Sequence, residues 1–383
     1  MTQILSVQSA FPPHQYPQAE LTDAYARLLG LRPAQRALLD RLHRNCGVET
    51  RHTVLPLAEY GTLGGLAATN DRYITEATAL GERALRGALD AAGASASDID
   101  LLMVTSVTGV AVPSVDARLI ARLGLRPDVK RLPVYGLGCV AGAAGLARVH
   151  DYLRGWPGHV AALLAVELCT LTVPMAGAMT ADMVVSGLFA DGAAAVIATG
   201  SPRAAAPAAA APAAAALGGT ALGGTAPGAG PSGAGSPRLP RVIATQSAVY
   251  PDSERALGWR LADDGFRIEL TTELSAVVER ELATSVSAFL TGHGLTIDDI
   301  GTWICHPGGP KVLDAARDSL KLPESAMAAS RRSLAEDGNL SSASVLCILE
   351  RVVALSAPPS AGSFGLMIGL GPGVSAELVL LRW

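Results

Sequence analysis

Three residues in this chain have the types and settings for nucleophilic catalysis: Cys139, His306 and Asn339. Cys139 lies in LPVYGLGCVAGAAGLARVHDY, where a short strand-like run meets glycines and a helix of small residues begins. A helix apolar on every side is a buried one. A thiol at its N-terminus faces backbone N–H groups and the positive end of the dipole, which favour a thiolate. Flanking glycines allow close approach of backbone and substrate. His306 stands in WICHPGGP, just past an apolar strand and before a Pro-Gly-Gly turn, where α/β proteins gather their sites. Asn339 stands in DGNLSSASV, at the start of a helix. Each residue alone has a plainer reading. A free cysteine is commonly a packing residue, a lone histidine is usually structural, and an asparagine there serves as an N-cap. Together they supply a nucleophile, a partner for its ionised form and two N–H donors for an oxyanion.

These residues need a scaffold, and the apolar runs provide one. Leu101–Val107, His159–Val166, Ala193–Thr199, Thr302–Cys305, Ser363–Gly369 and Ala376–Leu381 read as strands. Continuous apolar strands imply a sheet covered on both faces. Thr75–Ala92, Leu274–His293 and Pro310–Leu322 read as helices, the last with a proline at its start. The alternation predicts an α/β layered fold in two blocks that could be related halves, although little internal similarity is visible.

The chain has 383 residues, of which 49% are apolar and 17% charged, with a net charge of −4. Its mean hydropathy is +0.33. That composition excludes a chain disordered throughout. The longest apolar windows, Val160–Val166, Ala193–Thr199 and Gly362–Leu370, are too short to span a membrane. No basic stripe invites nucleic acid, and no signal sequence opens the chain. Five cysteines without a CxxC spacing argue against a disulfide framework or zinc site and for a cytoplasmic thiol protein. Ala204–Ala216 holds only Ala and Pro, and Leu217–Pro240 is mostly Gly, Ala, Pro and Ser. The stretch cannot bury enough surface to offset its ordering entropy and reads as a tolerated surface insertion.

On LGCVAG, GLFADGAAAV, HPGGP, GNLSSASV and GLGPGVSAE, in that order, the sequence resembles the type III polyketide synthases of the chalcone/stilbene synthase superfamily, in their bacterial branch. Asn45–His52 and Val104–Leu119 add to the match. The resemblance implies a thiolase-like five-layered αβαβα fold of two related halves, residues 1–200 and 241–383, with the insertion 201–240 between them, and a homodimer. It implies that Cys139 takes an acyl group from a CoA starter and that malonyl-CoA is decarboxylated and condensed onto it. His306 and Asn339 would stabilise the enolate, with His306 also keeping Cys139 ionised. CoA thioesters are then substrates, and no cofactor or metal is called for.

The resemblance also implies a gate at Phe189 and, in this register, at Ile268 where the family has a second phenylalanine; Phe266 lies two residues away. Thr108, Val112, Cys169, Thr172, Ser341 and Leu370 would line the cavity, Val112 by reaching into the partner's. Arg51, Gly308 and Lys311 would meet CoA, the cations through its phosphates. ELCTLT with DGAAAV is similar to bacterial synthases that make alkylresorcinols or alkylpyrones from long acyl starters, and the small residues at 112 and 268 agree, so the resemblance implies a long acyl starter and a resorcinol, pyrone or phloroglucinol-type product. The alternatives are a synthase that uses malonyl-CoA alone, making tetrahydroxynaphthalene or phloroglucinol, and a ketoacyl-acyl carrier protein synthase III. The latter shows HQAN where this chain has HPGG.

Overall fold

The computed structural model describes residues 1–173, 179–200, 239–262, 265–271 and 273–383, without the side chains of 261, 262, 265 and 266. Residues 201–238 of the expected insertion and the Phe266 side chain therefore lie outside the described residues. Thirteen strands are present among the described residues: β1 (Thr2–Ala10), β2 (His14–Pro17), β3 (Thr50–Thr53), β4 (Ile99–Thr105), β5 (Lys130–Val134), β6 (Val160–Leu168), β7 (Asp191–Thr199), β8 (Arg241–Val249), β9 (Leu257–Ala262), β10 (Gly265–Leu270), β11 (Ile300–Cys305), β12 (Phe364–Gly371) and β13 (Ser375–Arg382). Nine of them form one sheet, ordered β11-β12-β13-β8-β1-β7-β6-β4-β5.

This sheet is two sheets joined at a seam. β4 runs parallel to β6, β6 antiparallel to β7, and β7 antiparallel to β1. β11, β12, β13 and β8 repeat that pattern in the same order. Within the sheet the halves are joined where Thr2 and Gln3 face Val242 and Arg241. The duplication expected from weak signals is thus explicit in the topology. The amino-terminal half has one strand more, β5, at its outer edge.

Side-chain alternation builds the layers. In β6, every residue of VAALLAVEL is buried, which requires cover on both faces. Ala161, Leu163 and Ala165 point to the middle of the molecule, whereas Val160, Ala162, Leu164 and Val166 point to the long helix Leu66–Ala92. In β13, Val379 and Leu381 face the middle, and Leu378 and Leu380 face the side of the helix Glu273–Thr291. The middle layer holds two helices, Ala141–Gly155 and Ser344–Val353, in contact with each other and with strands of both halves. The result is the expected αβαβα stack. The central helices pack closely enough to demand glycine: a Cβ on Gly142 would fall 2.0 Å from the Ser342 carbonyl oxygen. The Ala- and Gly-rich composition reflects this close backbone packing.

Candidate active site

Cys139 sits in the short 3₁₀ turn Gly138–Val140 that leads into the central helix Ala141–Gly155. Two glycine-rich segments hold the turn. Gly138 has φ +57°, and a Cβ on it would lie 2.7 Å from Pro372; one on Gly371 would lie 2.8 Å from the Val140 nitrogen. LGCVAG and GLGPG are therefore two faces of one contact, which the sequence showed only as separate motifs. Cys139 is buried, with Sγ 3.4 Å from Ser341 Oγ. Burial pushes its thiol up to about 12, against the pull of the Ser341 hydrogen bond.

His306 follows β11 directly. Its N–H donates to the Ile368 carbonyl (2.9 Å), so the chain stays in register with β12 one residue beyond the strand. The imidazole is buried, its Nδ1 has no hydrogen-bond partner among the described residues, and burial drops its pKa to about 3. Desolvation works against the charged form of each group, and so against the thiolate expected at the helix terminus.

Asn339 is joined to Phe189 by an isolated parallel bridge. Its N–H donates to the Leu188 carbonyl (2.8 Å), and its carbonyl accepts from Ala190 (3.0 Å). The side chain turns back on itself: Oδ1 accepts the Ser341 N–H at 2.8 Å. Asn339 does not begin the helix directly, because the turn Ser341–Ala343 comes first and Ser341 has a positive φ of 49°. Phe189 ends the helix Thr180–Leu188 and is buried in one apolar set with Cys139, Cys169, Ile268 and Leu370. Thr172 caps that wall through a bond from Oγ1 to the Cys169 carbonyl, 2.8 Å.

A buried acid lies behind this wall, and the sequence reading passed over it. Glu167 accepts hydrogen bonds from Ser342 Oγ (2.5 Å), Val107 N–H (3.0 Å), Thr108 Oγ1 (3.1 Å) and Ser106 Oγ (3.3 Å). Burial lifts it to about 7 in spite of those bonds. Its signal was available: it is the single charge in the apolar run VAALLAVEL.

Among the expected CoA contacts, Lys311 is exposed in the first turn of the helix Pro310–Ser319, and Gly308 is half-buried just before it. Arg51 is a correction. It is 3% exposed, and its guanidinium donates to Gln18 Oε1 (2.9 Å) and the Phe189 carbonyl (2.5 Å). A cation committed inside the protein is not at a phosphate entrance. Val112 is 92% exposed on the single chain. Among the described residues no group of His, Cys, Asp and Glu could hold a metal ion.

Comparison with known proteins agrees with this architecture. Residues 1–202 match the family of chalcone and stilbene synthases, N-terminal domain, and residues 241–383 match the C-terminal domain. The chain therefore belongs to the chalcone and stilbene synthases. It is a type III polyketide synthase, an acyltransferase-type condensing enzyme. It is 50% identical over 382 residues to a 1,3,6,8-tetrahydroxynaphthalene synthase of Streptomyces peucetius subsp. caesius, covering 100% of this chain and 93% of that protein. A putative chalcone synthase of Bacillus subtilis (strain 168) is 29% identical over 391 residues, covering 100% and 99%. The crystal structure of the tetrahydroxynaphthalene synthase of Streptomyces coelicolor A3(2), described as a bacterial type III polyketide synthase, matches with a TM-score of 0.85 at 29% identity, covering 100% and 99%.

Proposed function

We propose that this enzyme builds 1,3,6,8-tetrahydroxynaphthalene from malonyl-CoA alone, as both starter and extender. The observation that carries this is the 50% identity, over nearly the whole chain, to a synthase of that product. The long-chain acyl starter expected from ELCTLT finds no support among these relatives.

In this reading Cys139 Sγ attacks the malonyl thioester, its proton passes to His306, and His306 returns it to CoA, which leaves as the thiol. A second malonyl-CoA then loses carbon dioxide from its carboxylate. The electron pair left behind forms an enolate, stabilised by N–H donors of His306 and Asn339. With Asn339 Oδ1 engaged by Ser341, Nδ2 is the end that faces substrate. The apolar face of Phe189 desolvates the carboxylate. The carbanion attacks the Cys139 thioester and expels the Cys139 thiolate, which leaves the extended chain on CoA; that thiolate then attacks the new thioester, CoA departs as its thiolate, and the chain is back on Cys139 for the next round. No cofactor enters these steps. Lys311 and Gly308 meet CoA, and a cytoplasmic location follows from the use of CoA thioesters.

We propose a homodimer as well. Val110, Val112, Leu132, Tyr135 and Leu137 are exposed on β5 and on the loops after β4 and β5. The parallel pairing of Thr105 with Val134 puts those loops side by side. β5 is also an open edge, which proteins rarely leave uncovered. The test of function is mass spectrometry of products from malonyl-CoA alone and with acyl-CoA starters of graded length. Tetrahydroxynaphthalene from malonyl-CoA alone is the expected result; a strict need for an acyl starter would overturn the reading.

A further inference from the structure

Among the described residues Arg51 is the only buried lysine or arginine. Burying a cation costs several kcal/mol unless its surroundings compensate, so its contacts indicate what it is kept for. Its head group grips the gate segment from behind. Nη1 donates to the Phe189 carbonyl at 2.5 Å, and Nε donates to Gln18 Oε1 at 2.9 Å. Gln18 in turn donates through Nε2 to the Gly187 carbonyl at 2.8 Å. The carbonyl between these two, that of Leu188, accepts the Asn339 N–H.

The stem of Arg51 reaches the other side of the same bridge. A Cβ on Gly338 would lie 3.0 Å from both Cγ and Cδ of Arg51, so the side chain lies flat against the backbone just before Asn339. Gly338 has φ +76°, which a side chain rarely adopts. One buried residue thus touches both strands of the Phe189–Asn339 bridge. Asp191 adds a compensating charge nearby, itself held by Val54 N–H (2.7 Å) and Thr170 N–H (2.8 Å).

We propose that Arg51 is a positioning residue for decarboxylation: it fixes the register of the Phe189–Asn339 bridge, and with it the placement of the gate ring relative to the amide donor. This rests on the reading of Phe189 and Asn339 given above. Decarboxylation needs the ring over the carboxylate while the amide holds the thioester oxygen. A displacement of about 1 Å between them costs on the order of 100-fold in rate. Acyl loading uses Cys139 and His306 and does not depend on that register.

The test measures two half-reactions in wild type, Arg51→Lys, Arg51→Met and Gln18→Met. Carbon dioxide release from malonyl-CoA gives kcat and KM, and intact-protein mass spectrometry gives acyl loading of Cys139. The expected result is a kcat for carbon dioxide release lowered about 100-fold in Arg51→Met and about 10-fold in Arg51→Lys. KM and loading should stay within about threefold of wild type. Gln18→Met, which leaves the cation but removes its second anchor, should give a smaller loss of the same kind. Should Arg51→Met fail to fold, the other two variants decide. Unchanged carbon dioxide release in folded variants overturns the proposal. So does a raised KM at unchanged kcat, which would make Arg51 a substrate-binding residue, and so does an equal loss of loading and decarboxylation. Wild type that neither loads Cys139 nor releases carbon dioxide would instead overturn the reading of the site itself.

Discussion

Cys139 is the residue on which every step of the proposed reaction converges, and its replacement gives the plainest test. Cys139→Ala should abolish acyl loading, read as loss of the acyl mass shift on the intact protein, while the fold persists. His306→Ala and Asn339→Ala should each remove most carbon dioxide release from malonyl-CoA. Glu167 makes a prediction of another kind. Its folded pKa is raised from 4.5 to about 7 by burial. The stability from keeping it protonated is complete below pH 4.5 and is lost as pH rises through 7, by roughly 3 kcal/mol at most. Thermal melts at pH 5 and pH 8.5 should show a smaller drop for Glu167→Gln than for wild type; an equal drop would refute the assignment. The proposed nucleophile and its partners stand out in the sequence because glycines and strand ends mark them in the chain. Arg51 was misread because its burial depends on Gln18 and on Phe189, 138 residues further on, and a charge in sequence carries no depth.

Elements were read best where they are most uniform. β6 and β7, wholly buried, announced themselves as apolar runs within a few residues of their ends. β1 and β8 did not, because they mix polar and apolar residues as half-exposed strands do. Yet they carry the seam between the halves, and both contain Gln-Ser-Ala, at Gln8–Ala10 and Gln246–Ala248. The long outer helix starts at Leu66, ahead of the expected Thr75, because its first turns show no clear apolar face. The central helices offer the sharpest test at this scale. Gly142→Val would press a side chain into the Ser342 carbonyl and Val345, and should prevent folding or cost more than about 3 kcal/mol. Gly155→Ala, with nothing within 4 Å, should be neutral or slightly stabilising in a urea melt.

For the whole molecule, the exposed apolar edge around β5 predicts a dimer. Leu132→Lys should shift the mass measured by light scattering from two chains toward one; an unchanged dimer would place the interface elsewhere. Deleting Ala204–Gly235 should leave product formation nearly intact, since both family matches fall outside the deleted stretch. The seam has a consequence for how the chain is made. β1 pairs with β7 on one side and meets β8 on the other. A ribosome that has just released β1 must add nearly 200 residues before its first partner strand emerges. Contacts so far apart along the chain form slowly. The amino-terminal half therefore spends most of its synthesis with an unpaired strand, and its sheet closes only when Asp191–Thr199 arrives to bridge β1 and β6. Truncation before Thr199 should yield a chain that aggregates, whereas one ending near Gly200 should be the earliest able to complete that half-sheet.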